Sequence, residues 1–189
     1  STRLAELSRR TLDRYLARKS PLTERELGLL EQLDPNEVSR FAGQFFQLVD
    51  DQPMPREENE PLTPRTSRHG AVCVILAGEG TQEAIPGLLT ALENKRFLPP
   101  TDAAPYQLPW IAALTIAVRD PWPGVDAWLA GLIDRTDPLV QSSSHGPELG
   151  ATAAAVLLKN QEQDPAAFGL QPAPDETLQA LGLSGRRFP

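Results

Sequence analysis

The chain has 189 residues, 40% hydrophobic and 23% charged, which is enough for one domain, or two small ones, with a core. Its formal net charge of −7 disfavours a surface for nucleic acid or for an anionic membrane, since both need clustered Lys and Arg. The single cysteine, Cys73, excludes an internal disulfide and a cysteine-rich metal site, and its apolar neighbours predict a buried thiol. Strand patterns are sparse and Ala/Leu-rich segments are frequent, which predicts an all-α protein.

Residues 1–50 are predicted to form a segment of three short helices. In the first, apolar side chains approximate one helical face, with Arg and Glu opposite: Leu4, Leu7, Leu12, Tyr15 and Leu16. The second helix has Thr23 as its N-cap and Glu26 three residues later, the spacing of a capping box. The third opens with Asp34 as a cap and Pro35 in the first turn, and we expect its phenylalanines to anchor this segment.

Residues 51–68 hold four prolines and nine charged or amide residues, with almost nothing to bury. This composition predicts a linker or a long surface loop. The acid pairs at 50–51 and 57–58 are interpreted as solvated charge.

From residue 69 to 189 the apolar pattern recurs with a period of 41 residues. A shift without gaps places 71–94 on 112–135, with Ile75 on Ile116 and Leu88 on Leu129. A period near 40 residues with two helical patterns per unit is typical of helical repeat arrays. The predicted helices span about 71–77, 82–94, 110–118, 125–135, 151–159 and, to close the array, 175–183. We expect the connecting loops to gather at one end of the stack, and the repeats to pack with 1–50 as one domain.

The segment Glu83–Leu92, which reads EAIPGLLTAL, resembles the second helix of a HEAT or HEAT-like repeat. In that family an Ala-Ile/Val-Pro run follows a short acidic turn, and the proline lies where its missing N–H costs least. The resemblance covers residues 70–135 and extends to 170, with two departures: Ala127 replaces the proline in the second unit, and the connecting loops are longer. It implies an α-α superhelix used for protein–protein contact in most relatives, with no catalytic residues to carry over.

No constellation of residues predicts an enzyme. A Ser/His/Asp set can be assembled from 142–144, His145 and Asp137, but no nucleophile elbow accompanies it. His69 and His145, the only two histidines, lack partners at metal-ligand spacing and are expected to be surface or capping groups. A Gly-rich phosphate loop is also missing from the sequence. We therefore expect no catalysis, no metal and no cofactor.

All three tryptophans belong to the second unit: Trp110, Trp122 and Trp128. Trp122 lies between two prolines in a turn, where full burial is not assured. An exposed Trp-Pro turn is suited to a binding hot spot, and we predict Trp122 and Trp110 as partner-binding residues. The alternative is that Trp122 packs over its own helix pair.

These features predict a non-catalytic protein–protein interaction or scaffold module whose partner is another protein. Two alternatives stay open: a helical accessory or regulatory domain of a larger multidomain enzyme, suggested by a start at Ser1 without Met, and an enzyme or small-ligand binder that uses a groove between the N-terminal helices and the repeat stack. No apolar run approaches the roughly 18–20 residues that span a bilayer, and no signal-peptide pattern is visible. We therefore expect a cytoplasmic protein without a membrane partner, and leave its oligomeric state open.

Overall fold

The computed structural model describes residues 2–19, 22–53, 67–100, 106–141 and 147–170. Within these ranges the chain is all-α, as predicted, with β-pairing limited to isolated bridges. Helices α1 to α8 are, in order, Thr2–Arg18, Glu24–Leu30, Pro35–Leu48, Arg68–Glu79, Ile85–Glu93, Leu108–Arg119, Val125–Ala130 and Leu149–Asn160. Two 3-10 turns complete the helical structure: Gln82–Ala84, which leads into α5, and Pro165–Phe168, which follows α8. The predicted closing helix at 175–183 lies outside the described residues.

The predicted caps of α2 and α3 are present. The Glu26 carboxylate accepts hydrogen bonds from the Thr23 N–H and from the Tyr15 hydroxyl, both at 2.8 Å, so this cap also ties α2 to α1. Asp34 accepts from the Glu37 N–H at 3.0 Å ahead of a proline at the first helical position. In both helices an anion satisfies N–H groups that have no partner within the helix.

Helix α1 buries only part of its predicted apolar face. Leu12 and Leu16 are buried, whereas Leu4 and Leu7 are 51% and 54% exposed. Leu7 and Leu12 are five residues apart, so at 3.6 residues per turn they point about 140° away from each other around the helix axis. The apolar face predicted for α1 was therefore too wide. One side of the helix is buried, and the side that carries Leu4 and Leu7 is exposed to solvent.

Helices α4, α6 and α8 pack in series. Helix α6 packs against both α4 and α8, and each of the three has 12 residues. Their first residues, Arg68, Leu108 and Leu149, are 40 and 41 residues apart. Every residue of α4 from His69 to Gly78 is buried, which suits a helix that is apolar almost all round. None of the helices in the described ranges is long and apolar enough to cross a bilayer.

Helices α3 and α5 meet at bare backbone. A Cβ atom on Gly87 would lie 2.2 Å from the carbonyl oxygen of Gly43 and 2.4 Å from its Cα, whereas a Cβ on Gly43 would meet nothing closer than 3.7 Å. Only the absence of a side chain at 87 allows this approach. The contact joins the first three helices to the rest of the chain.

Helix α7 is shorter than predicted, because it ends at Ala130 and not near Arg135. The N–H of Gly150, in the first turn of α8, donates to the Arg135 carbonyl at 2.8 Å. A Cβ on Gly150 would lie 2.1 Å from the Ile133 carbonyl oxygen. After α7 the backbone continues in 3-10-like turns, with the Arg135 N–H donating to the Leu132 carbonyl at 2.9 Å, and α8 binds the end of this segment.

The connectors that precede α4, α6 and α8 make backbone contacts, some within one connector and some between two. The Arg68 N–H donates to the Gln52 carbonyl at 3.0 Å, so the two ends of the Pro-rich connector meet. The Gln107 N–H donates to the Leu139 carbonyl at 2.9 Å, so the two later loops are also in contact. The isolated bridges join Pro53 to Ser67, Tyr106 to Val140, and Pro138 to Glu148. Residues 54–66 lie outside the described ranges.

Candidate functional site

The turn between α6 and α7 carries two of the three tryptophans. Trp122 and Trp128 are both half-buried, and their ring centroids lie 5.2 Å apart at an angle of 50°. Gly124, with φ of 88°, supplies the left-handed residue from which α7 starts. Trp122 therefore packs on its own hairpin through Trp128, while part of each indole stays accessible.

Trp110 lies in the first turn of α6, about 14 Å along the helix from its last residue, Arg119, which precedes the turn of Trp122. The guanidinium carbon of Arg135 lies 5.7 Å from its ring centroid. Arg135 also donates to Asp137 at 2.6 Å, and this bond raises the pKa of Arg135 and lowers the pKa of Asp137. The two predicted partner-binding residues thus lie at opposite ends of α6 and do not form one patch.

The most enclosed polar pair is Asp51 with His69, whose side chains are 2% and 0% exposed. Both sequence expectations were wrong, since Asp51 is not solvated charge and His69 is neither a surface nor a capping group. The Oδ1 atom of Asp51 accepts from the His69 N–H at 3.0 Å and lies 3.2 Å from His69 Nδ1. Its Oδ2 atom accepts from the Leu98 N–H at 2.9 Å. The carboxylate is buried here because the N-terminus of α4 offers free N–H groups and the positive end of a helix dipole.

Aromatic rings enclose His69 on several sides. Its ring centroid lies 4.9 Å from that of Phe45, 5.3 Å from Phe46 and 5.4 Å from Phe97. Among the described residues, its Nε2 atom has no hydrogen-bond partner. A histidine enclosed in this way joins α3, α4 and the segment at 97–98, and does not present a general base to a substrate.

Burial raises the pKa of the Asp51 carboxyl, but the contact with His69 and the N–H groups of Leu98 and His69 outweigh it, so the pKa lies below its ordinary value. Cys73, one turn after His69, is fully buried as predicted. Burial and the Asp51 charge hold the pKa of this thiol well above its usual range. The thiol is therefore not an activated nucleophile.

Two small pockets lie beside these helices. One, of about 160 Å³, adjoins Asp51 and is lined mainly by prolines and aromatic rings: Pro53, Phe97, Pro99, Pro100, Tyr106 and Pro109. The other, of about 130 Å³, lies between α1 and α3, where Arg9 pairs with Glu37 at its rim. Small-molecule sites usually occupy about 300–1,000 Å³. Both pockets are closer in size to a single side chain than to a substrate.

No group of three or more His, Cys, Asp or Glu within the described ranges is arranged to hold a metal ion. The serines at 142–144 and His145, which the hypothetical Ser/His/Asp set would need beside Asp137, lie outside those ranges.

The end of α6 is bound to the end of α4 by charged side chains. The Arg119 guanidinium donates to carbonyl oxygens at the C-terminus of α4: Leu76 at 2.9 Å, Ala77 at 3.0 Å and Gly80 at 2.6 Å. Asp120 accepts from the Gln82 N–H at 2.8 Å, at the start of the 3-10 turn. Burial lowers the pKa of Arg119 despite the opposing charges of Asp120 and Glu79, yet the guanidinium stays charged. The signs suit the two helix ends, since a cation lies at a C-terminus and an anion at an N-terminus.

Asn160 makes the corresponding contact one helix later. Its Nδ2 atom donates to the Ala117 carbonyl at 3.1 Å, at the C-terminus of α6. Asn160 follows Arg119 by 41 residues, and Ala117 follows Leu76 by 41. The spacing read in the sequence therefore recurs in hydrogen bonds between neighbouring helices.

No protein-family model, no curated protein and no solved structure matches this chain. The residues of the chain itself are therefore the basis for assigning a function. Sequence reasoning missed Asp51 because its partners His69 and Leu98 are 18 and 47 residues away. The available signal was a histidine at the very start of an apolar helix, where a buried ring needs a nearby polar partner.

Proposed function

We propose that the chain is a non-catalytic protein-binding or scaffold module built on HEAT-like helical hairpin repeats. The observation that carries this proposal is the series α4, α6 and α8, in which α6 packs on both others and the helices start 40 and 41 residues apart. The shifted pair of bonds, Arg119 to Leu76 and Asn160 to Ala117, supports the same periodicity. Hairpins stacked in this way bury a continuous core and leave an extended surface for a partner.

The turn between α6 and α7 is the proposed contact surface. Trp122 and Trp128 offer two partly accessible indole rings, and tryptophan is enriched among residues that dominate binding energy. Pro121 and Pro123 restrict the backbone on either side of Trp122, which reduces the entropy lost when a partner binds. Trp110, at the other end of α6, is proposed as a second, separate contact.

We assign no catalytic role to Asp51 or His69. Both oxygens of Asp51 already accept main-chain N–H groups, and phenylalanine rings enclose His69. The pair that most resembles a catalytic dyad is thereby explained as a structural connection.

The proposal is tested by affinity capture with the intact chain and with a Trp122→Ala variant. We expect the variant to recover its partner at least about tenfold less well, the effect of losing one hot-spot contact. Leu48→Ala is the control, because Leu48 is 42% exposed but lies at the end of α3. Thermal unfolding of both variants checks that they remain folded. Equal partner recovery by wild type and Trp122→Ala would remove the proposed surface.

A further inference from the structure

The described chain has two open ends of opposite charge. Residues 2–19 carry six basic and two acidic side chains, whereas residues 160–170 carry two acidic and no basic ones. Helix α1 packs mainly on α2 and α3, and α8 packs mainly on α6, α7 and the 3-10 turn that follows it. The basic and acidic segments thus begin and end the series of packed helices.

The open side of α1, called the N-terminal face, consists of Arg3, Leu4, Leu7, Arg10 and Arg14. Positions 3, 7, 10 and 14 follow helical spacing and lie on one side of the helix. All five side chains are exposed, and the two leucines are more than half accessible. Arg10 pairs with Glu6 on its own helix, and Arg3 and Arg14 bind no described residue. This face therefore combines apolar area with available positive charge.

The opposite end, called the C-terminal face, consists of Glu162, Asp164 and Phe168. All three side chains are exposed, and Phe168 at 61% is the most exposed large apolar side chain of the described residues. Asp164 caps the 3-10 turn that contains Phe168 by accepting from the Ala166 N–H at 3.0 Å, which fixes the position of its carboxylate. This face combines apolar area with negative charge.

We infer that the chain associates with itself end to end, with the N-terminal face of one copy docked on the C-terminal face of the next. Opposite charges face each other in this arrangement, while the leucines and Phe168 supply the apolar contact. Pairing two identical faces would oppose like charges, so a head-to-tail contact is favoured over a two-fold dimer. The inference does not depend on the tryptophan turn, which is a different surface.

Head-to-tail contacts leave one free face at each end, so the assembly grows with concentration. Sedimentation of the full chain over a range of concentrations should therefore show a rising average mass. Added salt should reduce that mass, because the charges are exposed and screened. A wild-type chain that stays monomeric at every concentration, or whose association is unaffected by salt, overturns the inference.

Two variants that each block one face give the decisive test. Leu7→Glu places a negative charge in the N-terminal face, and Phe168→Arg replaces the ring of the C-terminal face with a positive charge, in both cases at exposed positions that the fold does not need. Each variant alone should be monomeric. An equimolar mixture should form a one-to-one dimer, because each chain keeps the face that the other has lost.

A two-fold interface gives different results. It would leave one of the two variants able to self-associate, and mixing would restore nothing, so either outcome overturns the inference. Leu48→Glu is the control, since Leu48 is exposed but belongs to neither face. It should associate like wild type, and a loss of association equal to that of Leu7→Glu would also contradict the assignment.

Discussion

Helix α4 is held at both ends by charged side chains from distant parts of the chain, and the two ends are built differently. At its N-terminus Asp51 is enclosed, and both of its oxygens are used by His69 and Leu98. At its C-terminus Arg119 is half-buried, and the turn that carries Trp122 follows Arg119 along the chain. Each charge has the sign that the helix dipole favours. The first end is enclosed by its partners, while the second connects the core to an accessible surface.

The N-terminal end is tested most directly by Asp51→Ala, for which we expect the largest effect. The change leaves the N–H group of the fully buried His69 without an acceptor and removes the hydrogen bond to the more exposed Leu98, which should lower the free energy of unfolding by about 3 kcal/mol. Urea unfolding followed by circular dichroism measures it. Asp50→Ala is the matched control, because its side chain is 87% exposed and its pairing with Arg96 is a surface contact. Equal losses in the free energy of unfolding for Asp51→Ala and Asp50→Ala would show that Asp51 does not stabilise the N-terminus of α4.

A substitution where α3 meets α5, away from both ends of α4, gives a reference for the stability that each end contributes. Gly87→Ala would push a methyl group into the main chain of Gly43, and we expect a loss of about 2–3 kcal/mol. Gly43→Ala is its control, because that position has room and alanine favours helix. The control should be neutral or slightly stabilising in the same unfolding measurement. A loss of similar size in both variants would contradict the close approach of α3 and α5.

The C-terminal end is tested by Arg119→Met, which keeps the apolar stem but removes the donors. Hydrogen bonds from charged groups typically contribute about 1.5–3 kcal/mol, so we expect a loss of about 2 kcal/mol. Arg40→Met is the control, because Arg40 is 62% exposed and lies 3.6 Å from Glu83 in a surface pair. A loss larger than that of Asp51→Ala would reverse the ranking of the two ends.

Lowering the pH should reduce the free energy of unfolding through Asp51 at the N-terminus of α4 but not through Arg119 at its C-terminus. We expect this effect to be smaller than those of the substitutions. The folded-state pKa of Asp51 is lowered, so the unfolded chain binds a proton more readily and acid favours unfolding. The contribution is present above the unfolded pKa, about 3.9 for Asp, and is lost as the pH falls through the folded pKa. Arg119 stays charged throughout this range.

Unfolding free energies measured between about pH 6 and pH 2 test this expectation. Asp51→Asn should flatten the acid side of the curve, and Arg119→Met should lower the curve without changing its slope. Parallel curves for wild type and Asp51→Asn would show that the buried carboxylate does not couple stability to pH.

Helix starts and the all-α class could be predicted because their signals are local. Thr23 and Asp34 begin their helices as expected, and the ends of α4, α6 and α8 lie within three residues of the predicted ones. A cap, a proline or an apolar spacing acts over one or two turns, so the sequence displays it directly. The partner-binding roles of Trp122 and Trp110 remain predictions.

Errors arose where a distant residue overrides the local pattern. The helical pattern beyond Ala130 continues in the sequence, but the backbone there forms 3-10-like turns and its end at Arg135 accepts a hydrogen bond from Gly150. Gly87 looks like an unremarkable position in an apolar helix, yet the backbone of α3 requires it to be glycine. Neither contact leaves a local sign, because each depends on a segment at least 15 residues away.

The sequence alone therefore decided the helical class, the caps and the 41-residue spacing, since these depend on neighbours along the chain. Tertiary structure alone decided that Asp51 is buried and Asp50 is not, that Arg119 binds α4, and that Leu4 and Leu7 stay open. Adjacent acids are alike in composition and differ only in what the folded chain brings to them. The free energy of a charge depends on its surroundings in space, and those surroundings form only when α4 has packed.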